Sequence, residues 1–493
     1  MQELDWQKER NERLAELARQ PLDVLVVGGG IVGAGVARDA AMRGLRTGLV
    51  EQYDMAFGTS SRSSRLLHGG LRYLAQGRIG LVYEASREKH VLHRIAPHLA
   101  DPLAFVFPTY RRSAWPLWQL RIGVKVYDLL CGGRNLGPSN SMGRDEVIVY
   151  LPRPNTEGLT GAVRYYDGLT NDARLVLDTL RSASAQGGIL CNYSRLEDAV
   201  QAADGWQCQV RDTLADRAFE VRARTVVNAT GPWAQSLPQS SIRLRLTKGI
   251  HLVIDRRRLP VPDAVVMADG DRILFAIPWG ERTILGTTDT DYQGPVEAVR
   301  TEKADLDYVL GVANRAFPFA ELDAPDVLSA WAGLRPLIAS GRGGPSDISR
   351  AHEIRNPHPG WLDVAGGKLT TYRLIAEQVV DRVLRQLGQG KRPCRTAAEP
   401  LLAPEAVDGR SGILPPSITP QVVEHYCAEE WAVHLDDVMV RRSGWHYYLS
   451  QSDEVAELVA GWMARLLAWD RSQQEAELAR YREATKAAYD GSC

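Results

Sequence analysis

The stretch Asp23-Val-Leu-Val-Val-Gly-Gly-Gly-Ile-Val-Gly-Ala-Gly35 constrains the fold of this chain more than any other. Val24 to Val27 is a short apolar run of the kind that forms a buried parallel strand. Gly28, Gly30 and Gly33 follow it as Gly-x-Gly-x-x-Gly. At a strand-to-helix turn the first glycine permits a tight bend and the second lets a pyrophosphate approach the backbone. The third lets the helix pack on the strand. The predicted helix, Ile31 to Arg43, stops at Gly44, and its N-terminal amides and dipole attract an anion. A second apolar run, Thr47 to Val50, ends at Glu51, where the acid that binds a ribose belongs. Together these pieces predict a dinucleotide site.

The rest of the composition sets outer bounds. A chain of 493 residues implies two or three domains with ample core. A charged fraction of 24% and a net charge of −1 exclude a disordered polyelectrolyte and a strong nucleic-acid binder. No apolar run is long enough to span a bilayer. Met1 to Gln20 has no apolar stretch of the secretory kind, and Leu14, Leu17 and Ala18 predict one docked face of a short helix there. The six cysteines are scattered with no Cys-x-x-Cys, which suits a reduced cytosolic compartment and assigns them neither disulfide nor metal.

Further along, Arg78 to Arg94 and Asp172 to Gln186 read as helices, and residues 242 to 290 are strand-dense. Val364-Ala-Gly-Gly-Lys-Leu-Thr-Thr371 is a second glycine turn opening a helix that runs to about Gln386. Pro393 to Pro420 reads as a linker. Beyond it, Val455, Leu458, Val459, Trp462, Met463, Leu466 and Leu467 recur at helical spacing and predict a small helical C-terminal domain.

Two separated glycine turns facing a dinucleotide are more typical of FAD folds than of NAD dehydrogenases. At this point Thr59-Ser-Ser-Arg-Ser-Ser-Arg-Leu-Leu-His-Gly-Gly-Leu-Arg-Tyr-Leu74 resembles the signature of FAD-dependent glycerol-3-phosphate dehydrogenases, within the D-amino-acid-oxidase-like flavoproteins. Asn228-Ala-Thr-Gly-Pro-Trp233, Lys248-Gly-Ile-His251, Gly286-Thr-Thr-Asp289, Gly333-Leu-Arg-Pro336 and Gly366-Gly-Lys-Leu-Thr-Thr-Tyr-Arg373 also match, in the family's order. The similarity covers residues 20 to 385 well and the tail more loosely.

Flavin oxidation of a secondary alcohol needs a base for the hydroxyl proton and positive charge near the reduced ring. A phosphorylated substrate adds a demand for arginine forks or lysine charge. Read from the residues alone, a lone strand histidine such as His251 is more often a satisfied structural residue; the resemblance makes it the base or proton relay. Arg335, in an apolar run, must face an anion or an acid. The resemblance puts it at the substrate, against the alternative of a structural ion pair. Lys368 stands at a helix start, where the dipole disfavours a cation, and so points to an anionic ligand or the reduced flavin, or else to a solvated lysine. By resemblance Arg72 and Tyr73 line the substrate pocket and Arg350 is a further phosphate ligand. Ser63, Ser64, Leu66, Gly367, Leu369 and Thr370 join Gly28, Gly30, Gly33 and Glu51 in holding FAD, expected to be non-covalent although His68 lies where some relatives attach it.

The expected architecture is α/β, α+β overall. It comprises an N-terminal helix (1–20) and a discontinuous Rossmann-like FAD-binding domain (21–75 with 166–235 and 340–388). A mixed or antiparallel sheet domain (76–165 with 236–339) binds substrate, and a helical domain (395–493) follows. The expected activity is oxidation of sn-glycerol 3-phosphate to dihydroxyacetone phosphate, with electrons passed to a quinone. Alternatives are a dehydrogenase or oxidase of another polyol phosphate, such as erythritol phosphate, and a non-catalytic flavin-binding protein. The segment Tyr165 to Arg174 lacks the family's usual central aromatic, and Arg441-Arg-Ser-Gly-Trp-His-Tyr-Tyr448 is also unusual, which leaves the exact polyol open. Trp115 and Trp118 interleaved with Arg111, Arg112, Arg121 and Lys125 predict peripheral attachment to an anionic membrane. The resemblance places that attachment on the cytoplasmic face of the inner membrane. A homodimer is compatible with this reading; a nucleic-acid partner is not.

Overall fold

The computed structural model describes residues 5–70, 79–111, 113–130, 136–270, 272–339 and 352–486. Arg72, Tyr73, Arg112 and Arg350 therefore lie outside the described residues.

Leu22–Val27 forms the centre of an 8-stranded sheet. It pairs in parallel with Arg217–Asn228 on one side and with Thr47–Val50 on the other. Trp361–Gly366 and Ile189–Cys191 extend the parallel set outward. Apart from the alternating first half of Arg217–Asn228, these strands are largely apolar because both faces are covered. Ile31–Met42, Asp172–Ala185 and Tyr372–Gln386 pack on one face in a core that includes Val24, Val26, Leu177 and Val379. On the other face, the helix Trp6–Arg19 contributes Leu14 and Leu17 to a second core with Trp206 and Trp361.

A 10-stranded, mostly antiparallel sheet stands beside it. Its longest pairing joins Leu244–Asp255 to Val327–Ile338, with Thr247 opposite Arg335 and His251 opposite Trp331. Two boundaries differ from those expected. The strand Leu159–Leu169 runs across 165/166, and Leu66–Leu67 pairs with its end, so both belong to the second sheet. The helices Lys303–Ala316 and Arg144–Tyr150 cover one face. Ile79–Ile95 and Leu117–Leu130 cover the other, through Val82, Leu120, Val124 and Tyr127.

The C-terminal helices Pro420–Glu429, Ser452–Leu467 and Arg471–Thr485 share a core of their own. The segment expected as a linker is docked instead. The buried Arg38 guanidinium donates to the carbonyls of Thr396, Glu399 and Pro400 at 3.3, 2.9 and 3.1 Å, and Leu401 is buried in the first core. Further on, Asp54 accepts from Arg441 at 2.5 Å and from Arg442 at 2.8 Å. Burial alone would push the Asp54 carboxyl up, but the Arg442 and Arg441 charges override it and hold the group below the usual range.

Candidate active site

The parallel strands end together at a cleft of about 270 Å³, where open sheets of this kind bind ligands. Gly28, at φ +111°, makes the bend, and a side chain there would meet the Ala229 carbonyl at 2.6 Å. Gly33 lies beneath the turn rather than on the cleft; a Cβ would collide with the Gly28 carbonyl, so this glycine lets the helix sit tight against the strand. Gly30 borders the cleft, and among the described residues the only atom near its hypothetical Cβ is Ser60 Oγ at 3.2 Å. Ser60 Oγ accepts the Ile31 N–H at 3.0 Å and so takes up one of the amides at the helix start.

Glu51 also lines the cleft. Its carboxylate accepts from Gly29 N–H at 2.6 Å and from Tyr53 N–H at 2.9 Å. Burial nevertheless dominates and pushes its pKa up to about 7. From this end the cleft runs past Ser63 to the second glycine turn, where Gly367, Lys368 and Leu369 border it. The length and the two glycine walls fit an extended dinucleotide, with the first turn for its pyrophosphate and Glu51 for a ribose.

The second turn is fastened to the segment after Ser64. Thr370 Oγ1 accepts the His68 N–H at 3.0 Å and donates to the His68 carbonyl at 3.2 Å, while Lys368 Nζ donates to the Gly69 carbonyl at 3.2 Å. Thr370 is buried behind the turn, and Leu66 lies in the core of the second sheet rather than on the cleft. Gly69 is held from its other side by the Tyr127 hydroxyl and Asp167, whose carboxylate pairs with the buried Lys89 at 2.7 Å.

His251 sits on the second sheet with only 2% of its surface exposed. Its Nε2 lies 2.8 Å from Ser64 Oγ, its ring stacks on Trp331 with centroids 5.2 Å apart, and Nδ1 has no hydrogen-bond partner among the described residues. Burial, then the charges of Arg335 and Arg65, push its pKa well below the ordinary 6.5, so the imidazole is neutral at pH 7. Arg335 donates to Thr287 Oγ1 at 2.9 Å and to Asp289 at 3.3 Å and keeps 22% of its side chain exposed. Its guanidinium lies across Gly249. A neutral imidazole can take a proton, and Arg335 and Lys368 supply positive charge.

Several lining residues carried no distinctive signal in the sequence. Ser194 and Leu196 enter from a strand with ordinary alternation, and Ser60 sits in a run of hydroxyls where nothing singles it out. Thr230 and Trp233 lie within a motif visible in the chain, but their place on the cleft follows only from Asn228 ending a parallel strand.

Fold and cleft together define a dinucleotide-binding flavoprotein with a second sheet closing over its site. Residues 23–382 match the family described as FAD dependent oxidoreductase. The chain belongs to that family, and its cofactor is FAD. It is 37% identical over 404 residues to the aerobic glycerol-3-phosphate dehydrogenase of Bacillus subtilis, covering 80% of this chain and 73% of the relative. It is 35% identical over 444 residues to an alpha-glycerophosphate oxidase of Streptococcus pyogenes, covering 77% and 72%. Among solved structures, the glycerol-3-phosphate dehydrogenase of Bacillus halodurans complexed with FAD aligns over 98% of this chain and 99% of that one. Its TM-score is 0.79 and its identity 29%.

Proposed function

We propose that this protein oxidises sn-glycerol 3-phosphate to dihydroxyacetone phosphate. The observation that carries the proposal is a buried, neutral His251 grouped with cationic Arg335 on the sheet that closes over the FAD cleft. The names of the relatives support the same substrate. Bound FAD supplies the hydride acceptor. His251 takes the proton of the substrate's secondary hydroxyl at Nδ1, while its Nε2–H is held by Ser64 Oγ. Arg335 and Lys368 stabilise negative charge on the substrate and its surroundings, and the family resemblance assigns Arg72, Tyr73 and Arg350 to the substrate and its phosphate.

Anaerobic mixing with glycerol 3-phosphate should bleach the flavin absorbance, and glycerol, erythritol phosphate and amino acids should not. Faster bleaching by another polyol phosphate would reassign the substrate. No bleaching by any would leave a flavin-binding protein without this activity.

The acceptor we propose is a quinone, reached by an enzyme resting on the cytoplasmic face of the inner membrane. Support comes from the helix Leu117–Leu130. Trp118, Ile122 and Leu129 are 62%, 58% and 78% exposed on one side of it, and Ile79 and Tyr83 of the neighbouring helix are 52% exposed each. Arg121, next to Ile122 on the same helix, is exposed, as is Arg111 before it. Trp115 packs inward against Phe107, leaving Trp118 as the interfacial tryptophan. No helix among the described residues is long and apolar enough to cross a membrane. Vesicles containing anionic lipid should carry the protein in flotation, and Trp118→Ser with Arg121→Glu should release it. Hydrogen peroxide production at the rate of substrate turnover, with no quinone reduction, would favour an oxidase.

A further inference from the structure

Arg65 is a buried cation to which the chemistry above gives no role beyond its effect on the His251 imidazole. Its residue is 3% exposed, its backbone is left-handed at φ 57°, and its Nε and Nη1 have no hydrogen-bond partner among the described residues. The nearest acid, Asp172, stands 4.0 Å away, with its own oxygens accepting the Ser63 N–H at 2.8 Å and the Ala173 N–H at 3.0 Å. A buried guanidinium so poorly paired is costly and needs another source of stabilisation. Aromatic faces provide it. The guanidinium carbon lies 4.2 Å from the ring centre of Trp279, 5.0 Å from that of Trp331 and 5.9 Å from that of Tyr447.

One wall of this cage is also the surface on which His251 stacks. Trp331 contacts both the His251 ring and the Arg65 guanidinium, and its indole N–H donates to the Ser63 carbonyl at 3.1 Å. Ser64, between Ser63 and Arg65, holds His251 Nε2. A third wall, Tyr447, comes from the unusual segment Arg441–Tyr448, and it is fixed by its carbonyl accepting Ser329 Oγ at 2.8 Å and by its ring against Trp331 at 5.0 Å. That segment is anchored in turn by Arg441 and Arg442 on Asp54.

We propose that Arg65, seated in the cage of Trp279, Trp331 and Tyr447, is a positioning residue for His251, and that the C-terminal region completes the active site by supplying the Tyr447 wall. This rests on His251 being the proton acceptor. The guanidinium locks the plane of Trp331, against which the imidazole lies, and its charge helps keep the resting imidazole unprotonated before substrate binds. The charged groups facing His251 are Arg335, from the strand Val327–Ile338, and Arg65, from the segment before Leu66; Asp289 and Asp172 oppose them in turn. Both cations act in the same direction, so removing one has a defined sign.

The test uses the FAD-loaded full chain and the variants Arg65→Met, Arg65→Lys, Tyr447→Leu, Tyr447→Phe and His251→Gln. The imidazole is followed by NMR in protein carrying 13C at histidine Cε1, the His251 signal being assigned by its loss in His251→Gln. Arg65→Met should keep its flavin and its thermal midpoint, because an apolar side chain suits a buried site at least as well as a poorly paired cation. Its His251 titration should move upward by about one pH unit or more, the effect of losing a nearby like charge. Flavin reduction should slow by about tenfold, a fraction of what a positioned base contributes. Arg65→Lys and Tyr447→Phe should restore both, whereas Tyr447→Leu, which removes a wall but keeps the charge, should slow flavin reduction as Arg65→Met does and leave the titration near parental. If Arg65→Met does not fold, the rate of Tyr447→Leu decides the matter alone, and a parental rate there overturns the proposal. An unmoved titration and an unchanged rate in the folded variants overturn the proposal. Rapid reduction in His251→Gln would instead overturn the assignment of the base, whatever Arg65 does.

Discussion

Arg335 lies across Gly249 so closely that any side chain at 249 would occupy the space of the guanidinium. The two residues sit on the paired strands Leu244–Asp255 and Val327–Ile338, where Gly249 faces Gly333 and Arg335 faces Thr247. Gly249→Ala should therefore displace Arg335 from Asp289 and Thr287 without touching the cofactor. Loss of an oriented cation is worth about 3 kcal/mol, roughly a hundredfold in rate. Stopped-flow reduction should show Gly249→Ala and Arg335→Ala slowed alike, with FAD content unchanged. A parental rate in Gly249→Ala would mean that Arg335 does not need its present position.

Glu51 links FAD affinity to pH. Burial raises its pKa from 4.5 to about 7 in the protein without ligand. A carboxyl raised in this way destabilises the folded chain progressively as pH climbs from 4.5 to about 7, because the unfolded chain ionises first. A ribose hydroxyl donating to the carboxylate favours the ionised form, so bound FAD draws the pKa back down. The Kd for FAD should rise as pH falls below about 7, by up to about tenfold per unit. Fluorescence titration of the apoprotein measures this, and Glu51→Gln should flatten the dependence.

Gly30→Val separates folding from cofactor retention. Among the described residues only Ser60 Oγ stands near the added carbon, so the chain should fold with its usual circular dichroism. The side chain would fill the space the pyrophosphate needs, and the protein should purify colourless. A yellow Gly30→Val protein would place the pyrophosphate elsewhere.

The clamp at Asp54 should be a principal tie between the C-terminal helices and the FAD sheet. Asp54→Asn leaves Arg441 and Arg442 buried with only part of their compensation. Breaking a buried pair by removing one partner costs about 3–5 kcal/mol. Scanning calorimetry should show a lowered Tm, or a separate early transition for the C-terminal region. An unaltered thermogram would show that Asp436 and Asp437 satisfy the two arginines by themselves.

The features legible in the sequence were those encoded by adjacent residues. Gly28, Gly30 and Glu51 announce the cleft because a phosphate turn and its ribose acid need a fixed local pattern. The apolar repeat ending at Leu467 matches the helix Ser452–Leu467 for the same reason. The cage of Arg65 was not legible, since its walls at Trp279, Trp331 and Tyr447 come from three distant stretches that only pairing brings together. Leu66 looked like a cofactor contact and is a core residue, because strand pairing with Leu169 settles which way a two-residue strand faces. Trp115 and Trp118 read alike in the chain. The helix begins only at Leu117, and its phase sends Leu120, Val124 and Tyr127 inward and Trp118 outward.

The strand order also dictates when the cofactor cleft can come into being during synthesis. Leu22–Val27 emerges early but must wait for Arg217–Asn228, which in turn has a bare edge until Trp361–Gly366 arrives. The second glycine wall, Gly367 to Leu369, follows directly after that last strand. A nascent chain shorter than this exposes apolar parallel strands with unpaired edges, the kind of surface that aggregates and that chaperones shield. Ribosome-stalled chains ending before Trp361 should therefore depend on such protection and capture no FAD, whereas those carrying the second turn clear of the exit tunnel have both walls of the cleft.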